Sequence, residues 1–182
     1  MAKIFTPLIA FILLAAPAFA EPAAVLAGRD IDVLKAALGA QCTKANSTPT
    51  VMSDLPAGMD QNALHKDGKT YLNELTGRAG ETTRWPLGLL CNNTLVVAES
   101  RLAGNSAGAA RAFPGTTGFA RTFGGARALK TVSRPLFTAD GKHAVITANH
   151  MCGPLCGGGE LIELELTKDG WKVLKSRMTW IS

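Results

Sequence analysis

The spacing of apolar positions changes along the chain, from a helical period near the start to strict alternation towards the end. Ile31, Leu34, Ala37 and Leu38 fall on one helical face, with Asp30 placed to cap it and Gly39 placed to stop it in a left-handed turn. Residues 43–58 lack a period, with Val51-Met52 as a short strand. Residues 60–78 carry an interrupted helical pattern broken at Asp67-Gly68. Trp85 with residues 87–90, and then residues 95–98, read as strands. Residues 103–125 are rich in glycine, alanine and arginine and predict an irregular loop or lid, in which Phe119 and Phe123, four apart, can seat one helical turn on the core.

The last third is more regular. Leu136-Phe137 leads to a turn at Asp140-Gly141 and then to a strand over residues 143–148. A glycine-rich loop with two cysteines comes next, then a strand over 160–166 in which Glu163 and Glu165 alternate outward. Lys168-Asp169-Gly170 turns the chain into a last strand over 171–180. The pattern predicts an α+β fold, with N-terminal helices followed by a C-terminal antiparallel β-meander.

The start of the chain reads as a leader. Residues 1–20 hold one charge, Lys3, an apolar run over 9–16, and Ala18-Phe19-Ala20, the small-x-small pattern of a signal-peptidase site. The expectation is a cleaved export signal, a single domain over residues 21–182, and a periplasmic or secreted address. The apolar run is too short to span a bilayer, and no later segment offers eighteen consecutive apolar residues. No transmembrane segment is expected in the mature chain.

Charge adds one local feature to a formal net charge of +5. Between Glu99 and Asp140 there is no acid, while Arg101, Arg111, Arg121, Arg127, Lys130 and Arg134 all fall there. Outside the cytoplasm such a stretch meets an anionic envelope surface or an acidic ligand rather than nucleic acid. The plainer reading is a solvated basic surface.

The address also governs the four cysteines, which in an exported chain pair as disulfides. Of three possible connectivities, proximity favours Cys152 with Cys156, leaving Cys42 with Cys91. Loop entropy gives the distant pair roughly 4 kcal/mol and the tight pair roughly 2 kcal/mol. Two alternatives give the tight pair chemistry. Cys-Gly-Pro-Leu-Cys is similar to the thioredoxin Cys-Gly-Pro-Cys with one residue inserted. Three glycines stand where that active site needs a helix start to acidify its thiol, which argues against redox exchange. With His150, Cys152 and Cys156 form a soft ligand set suited to Cu(I).

Hydrolytic motifs are missing. There is no G-x-S-x-G, no H-E-x-x-H and no phosphate-binding glycine loop, and no cofactor is expected. His65 and His143 read as surface histidines, and Glu160, Glu163 and Glu165 as solvated strand residues.

The run Cys152-Gly153-Pro154-Leu155-Cys156-Gly157, the later Asp169-Gly170-Trp171 and the terminal Trp180-Ile181-Ser182 resemble a group of small secreted bacterial proteins. In that group a CG-x-LCG segment precedes a strand and a DG-x-W-like hairpin. The likeness covers roughly residues 131–182. It implies export and a C-terminal sheet, and, since the group has no assigned activity, it implies none here. The order of helices then meander is also similar to nuclear-transport-factor-2-like cones, a likeness of fold alone.

Two function classes fit these features. One is a non-enzymatic binding or interaction domain held by disulfides. The other is a ligand-pocket protein or enzyme on a cone-like fold, whose mark would be an apolar cavity with a few converging polar side chains.

Overall fold

A computed structural model describes residues 25–26, 28–39, 42, 48–59, 65–66, 68–72, 83–103 and 114–182. The expected leader over 1–20, Arg111 and most of the 60–78 segment lie outside the described residues.

Helix α1 (Arg29–Leu38) turns Val33, Leu34 and Leu38 into the core, with Ile31, Ala36 and Ala37 partly buried beside them. Burying each of the three is worth about 2 kcal/mol. The expected cap at Asp30 is corrected. Gly28, which has no side chain, occupies the N-cap, and Asp30 and Asp32 sit in the first turn, where the helix dipole favours carboxylates. Asp30 also lies 3.9 Å from the Arg134 guanidinium. Gly39 ends the helix as expected, at φ 46°, its N–H donating to the Lys35 carbonyl.

Strands dominate the rest of the described residues: β1 (Thr50–Ser53), β2 (His65–Lys66), β3 (Lys69–Leu72), β4 (Gly88–Cys91) and β5 (Thr94–Val97). After the short helices α2 (Glu99–Ala103) and α3 (Thr117–Thr122) come β6 (Ala128–Val132), β7 (Leu136–Thr138), β8 (His143–Gly153), β9 (Cys156–Thr167) and β10 (Gly170–Ile181). The expectation of N-terminal helices holds only in part: among the described residues α1 is the one helix with full bounds before β1, and the described stretches of residues 50–97 supply strands. The helical reading of 60–78 is replaced where residues are described by β2, a turn at Gly68 and β3.

The ten described strands form one mixed sheet. At its centre β1 runs parallel to both β5 and β6, and every other pairing is antiparallel. The sheet forks at β8. Its first half pairs with β7, its second half with β6, and β9 runs along the other side. The expected C-terminal meander is present as β8, β9 and β10, with β10 outermost and carrying register shifts between Val173 and Lys175 and between Met178 and Trp180.

Both faces of the sheet are covered at residues 144–148, which are buried without a break, Thr147 included. Ala144, Ile146 and Ala148 face the α1 side with Ile162, Leu164, Trp85 and Phe137. Val145 faces the other side with Leu161, Leu136 and Tyr71. Over β1, β5 and β6 that second face holds Val51 and Val97 beneath Phe119 and Phe123 of the α3 turn, their rings 4.8 Å apart. Thr116 caps α3 by accepting the Phe119 N–H at 3.2 Å. Glu163 does not point to solvent as expected. It lies on the face of Val145 and Leu161 and is buried.

A polar network closes the C-terminal ends of β1 and β5. The buried Asp54 carboxylate accepts the Glu99 N–H at 2.7 Å, supplying the first turn of α2 with an acceptor, and accepts from Arg84 at 2.8 Å. Ser53 donates to the Glu99 carboxylate beside it.

Candidate functional site

The glycine triplet at the start of β9 shapes the site, because its side-chain positions alternate between the two faces of the sheet. On one face, a Cβ on Gly159 would overlap the Trp180 indole nitrogen and the Asn149 side-chain oxygen, and one on Gly157 would press on Ser182 and Trp180. The Trp180 ring occupies that space and donates to Asn149 Oδ1 at 3.0 Å. On the other face, a Cβ on Gly158 would come within 2.9 Å of the His150 ring, which lies over that residue. Three consecutive residues without side chains thus admit one ring on each side.

The His150 face opens into a cavity of about 350 Å³ lined by His150, Gly157, Gly158, Gly159, Glu160, Ser176, Met178 and Ile181. Register explains the grouping. Lys130, His150, Gly158 and Ile181 stand in one row across β6, β8, β9 and β10, and Val132, Ala148, Glu160 and Met178 stand in the next. Ser176 is one further row along, opposite Ile162, and its Oγ donates back to Glu160 Oε2 at 2.7 Å.

Lys130 is buried in the row of His150. Burial pushes its ammonium below the ordinary lysine value of 10.5, and the Glu160 carboxylate partly restores it. Met178 and Ile181, both largely exposed, give the cavity an apolar rim. The lining offers a hydroxyl-bonded carboxylate, an imidazole and bare glycine backbone to anything that enters, with the buried Lys130 ammonium behind it.

The cysteines stand as the expected pairs, Cys42 with Cys91 and Cys152 with Cys156, at Cα separations of 5.0 and 5.1 Å. The first ties the chain after α1 to β4. The second closes the β8–β9 hairpin at the end of the cavity, with Leu155 exposed at its tip. The turn at Pro114-Gly115 braces this hairpin so closely that a Cβ on Gly115 would meet the Cys152 carbonyl. With the two sulfurs joined to each other, the set His150, Cys152 and Cys156 has no thiolate to offer a metal. Among the described residues no three His, Cys, Asp or Glu side chains gather to hold one.

The basic stretch is taken apart by the fold. Arg101 and Arg121 are exposed on α2 and α3, Arg127 is exposed just before β6, Lys130 is buried in the sheet, and Arg134 lies by Asp30. His65 falls in β2 and His143 opens β8, both away from the cavity lining. Sequence patterns did not single out Glu160, Ser176 and Lys130 as partners. The usable signal was the glycine triplet, which in the middle of a sheet marks a close approach.

Fold and cavity together define a disulfide-paired, mixed-sheet domain with a surface pocket of ligand size. No family model, curated protein or solved structure matches the chain. Among the described residues no helix is long and apolar enough to cross a membrane.

Proposed function

We propose that the protein is an exported, non-enzymatic binding domain that takes a small molecule in the cavity beside the Cys152–Cys156 hairpin. The observation that carries this is the Ser176–Glu160 hydrogen bond inside a cavity rimmed by Met178 and Ile181. An apolar rim with a few convergent polar groups is the usual composition of a ligand site. Export is supported by the leader pattern of residues 1–20, by the likeness of residues 131–182 to secreted bacterial proteins, and by two cysteine pairs at disulfide distance. The hairpin disulfide then acts as a clamp on one wall of the pocket.

Soaking crystals of the mature chain in isopropanol, phenol and acetamide tests the site without knowledge of its ligand. The three probes are expected to converge between His150, Glu160 and Met178. Probes that scatter over the surface and leave this cavity empty overturn the assignment. The mass of the exported protein checks the address: it should begin at Glu21 and lack the hydrogens of two dithiols.

A further inference from the structure

A second cleft lies at the other end of the sheet, where the turn between β4 and β5 faces the end of α3. It encloses about 240 Å³, and its lining includes Leu89, Leu95, Asn92, Arg101, Thr122 and Phe123. Arg101 projects from α2 with its guanidinium 5.9 Å from the centre of the Phe123 ring. Its chain neighbourhood has no acid from residue 100 to residue 139, and among the described residues no carboxylate pairs with it. Arg121 and Arg127 are exposed elsewhere, so Arg101 is the one cation among the described lining residues. Leu89, Leu95 and Phe123 form the apolar part of the wall, with Thr50, Asn92 and Asn93 beside them, and Leu89 at the rim is 70% exposed.

We propose that this cleft binds a small organic monocarboxylate with an apolar body. A guanidinium presents parallel N–H groups whose spacing matches a carboxylate, and an aromatic ring against it limits how far that plane can turn. One fork satisfies one carboxylate, while a phosphate dianion calls for more positive charge than a single arginine brings. The body of the ligand rests on Leu89, Leu95 and Phe123, and the Asn92 amide at the β4–β5 turn supplies a polar edge. The site is separate from the cavity at His150 and does not depend on it.

The test is a ¹H–¹⁵N titration of the mature chain with benzoate, acetate and inorganic phosphate in turn. Benzoate is expected to shift the amides of Leu89, Asn92 and Thr122 saturably, with acetate and phosphate weaker. Arg101→Gln should weaken benzoate by about tenfold or more, since it removes a charge-assisted pair. Arg121→Gln should leave benzoate binding unchanged. Arg101 is exposed, so its replacement should keep the dispersed spectrum of the folded chain. The proposal is overturned if phosphate moves these amides as strongly as benzoate, if no shift saturates, or if Arg101→Gln leaves the benzoate response intact.

Discussion

Ser176 donates to Glu160 at 2.7 Å although its register partner across β9–β10 is Ile162. The bond is diagonal, so it reports the register of the last hairpin as well as the chemistry of the cavity. Ser176→Ala should change stability by less than about 1 kcal/mol, because the hydroxyl is exposed and water can replace it at Glu160. The same variant should weaken probe occupancy in the cavity. Urea unfolding and repeated crystal soaks check the two halves. A loss of several kcal/mol would make the bond a fold determinant instead.

The glycine triplet predicts an order of costs. Gly159→Ala drives a methyl into the Trp180 ring and Asn149 and should destabilise by about 1–3 kcal/mol. Gly158→Ala meets only the edge of the exposed His150 ring, which can swing away, so its cost should be smaller. Equal urea midpoints for the two variants would remove the steric reading of this segment.

Asp54 serves two donors from one buried carboxylate. Asp54→Ala leaves the Arg84 guanidinium and the first N–H of α2 without their acceptor and should cost about 2–4 kcal/mol. Asp54→Asn keeps an oxygen for the Glu99 N–H and should cost less. Thermal and urea unfolding of both variants decide this, and the reverse order would be inconsistent with a capping role.

The two cysteine pairs should differ in weight. Their partners are 49 and 4 residues apart, so replacing Cys42 and Cys91 with serine should cost about 4 kcal/mol, against about 2 kcal/mol for Cys152 and Cys156. Under a mild reductant followed by mass-tagging of free thiols, the exposed Cys156 should label before Cys42 and Cys91.

Lys130 gives the pH dependence a sign. Burial lowers its folded-state pKa below 10.5, so the unfolded chain binds more protons in the interval between the lowered value and 10.5. Stability contributed by this group therefore rises with pH across that interval. Lys130→Met removes the group and should flatten the rise, as seen by comparing urea midpoints at neutral and alkaline pH for both proteins. A steeper rise in the variant would contradict the assignment.

The segments legible in the sequence were those whose partners are near in the chain. The alternation and Asp-Gly turns of residues 136–181 specified the meander because β8, β9 and β10 pair with their immediate neighbours. Phe119 and Phe123 foretold α3 for the same local reason. Tyr71 could not reveal β3, since that short strand exists by pairing with β7, far along the chain. The parallel contacts of β1 with β5 and β6 are equally remote. Glu163 misled because alternation assumes one wet face, whereas residues 161–164 are covered on both. At the site, His150 stood out by its neighbours in sequence. Glu160 and Ser176 share a face because the first of the two bulges in β10, between Val173 and Lys175, shifts the hairpin register, which no local pattern encodes.

Those bulges have a consequence for how many copies of the chain behave together. A twelve-residue strand at the rim of a sheet is a template for the next molecule, and β10 brings Val173, Leu174, Met178 and Ile181 to it exposed. Two interruptions of the hydrogen-bonding rhythm, with Lys172, Lys175 and Arg177 set along the same strand, spoil that template for a straight, apolar neighbour. The irregularity that lets Ser176 reach Glu160 is thus also a barrier to fibril growth.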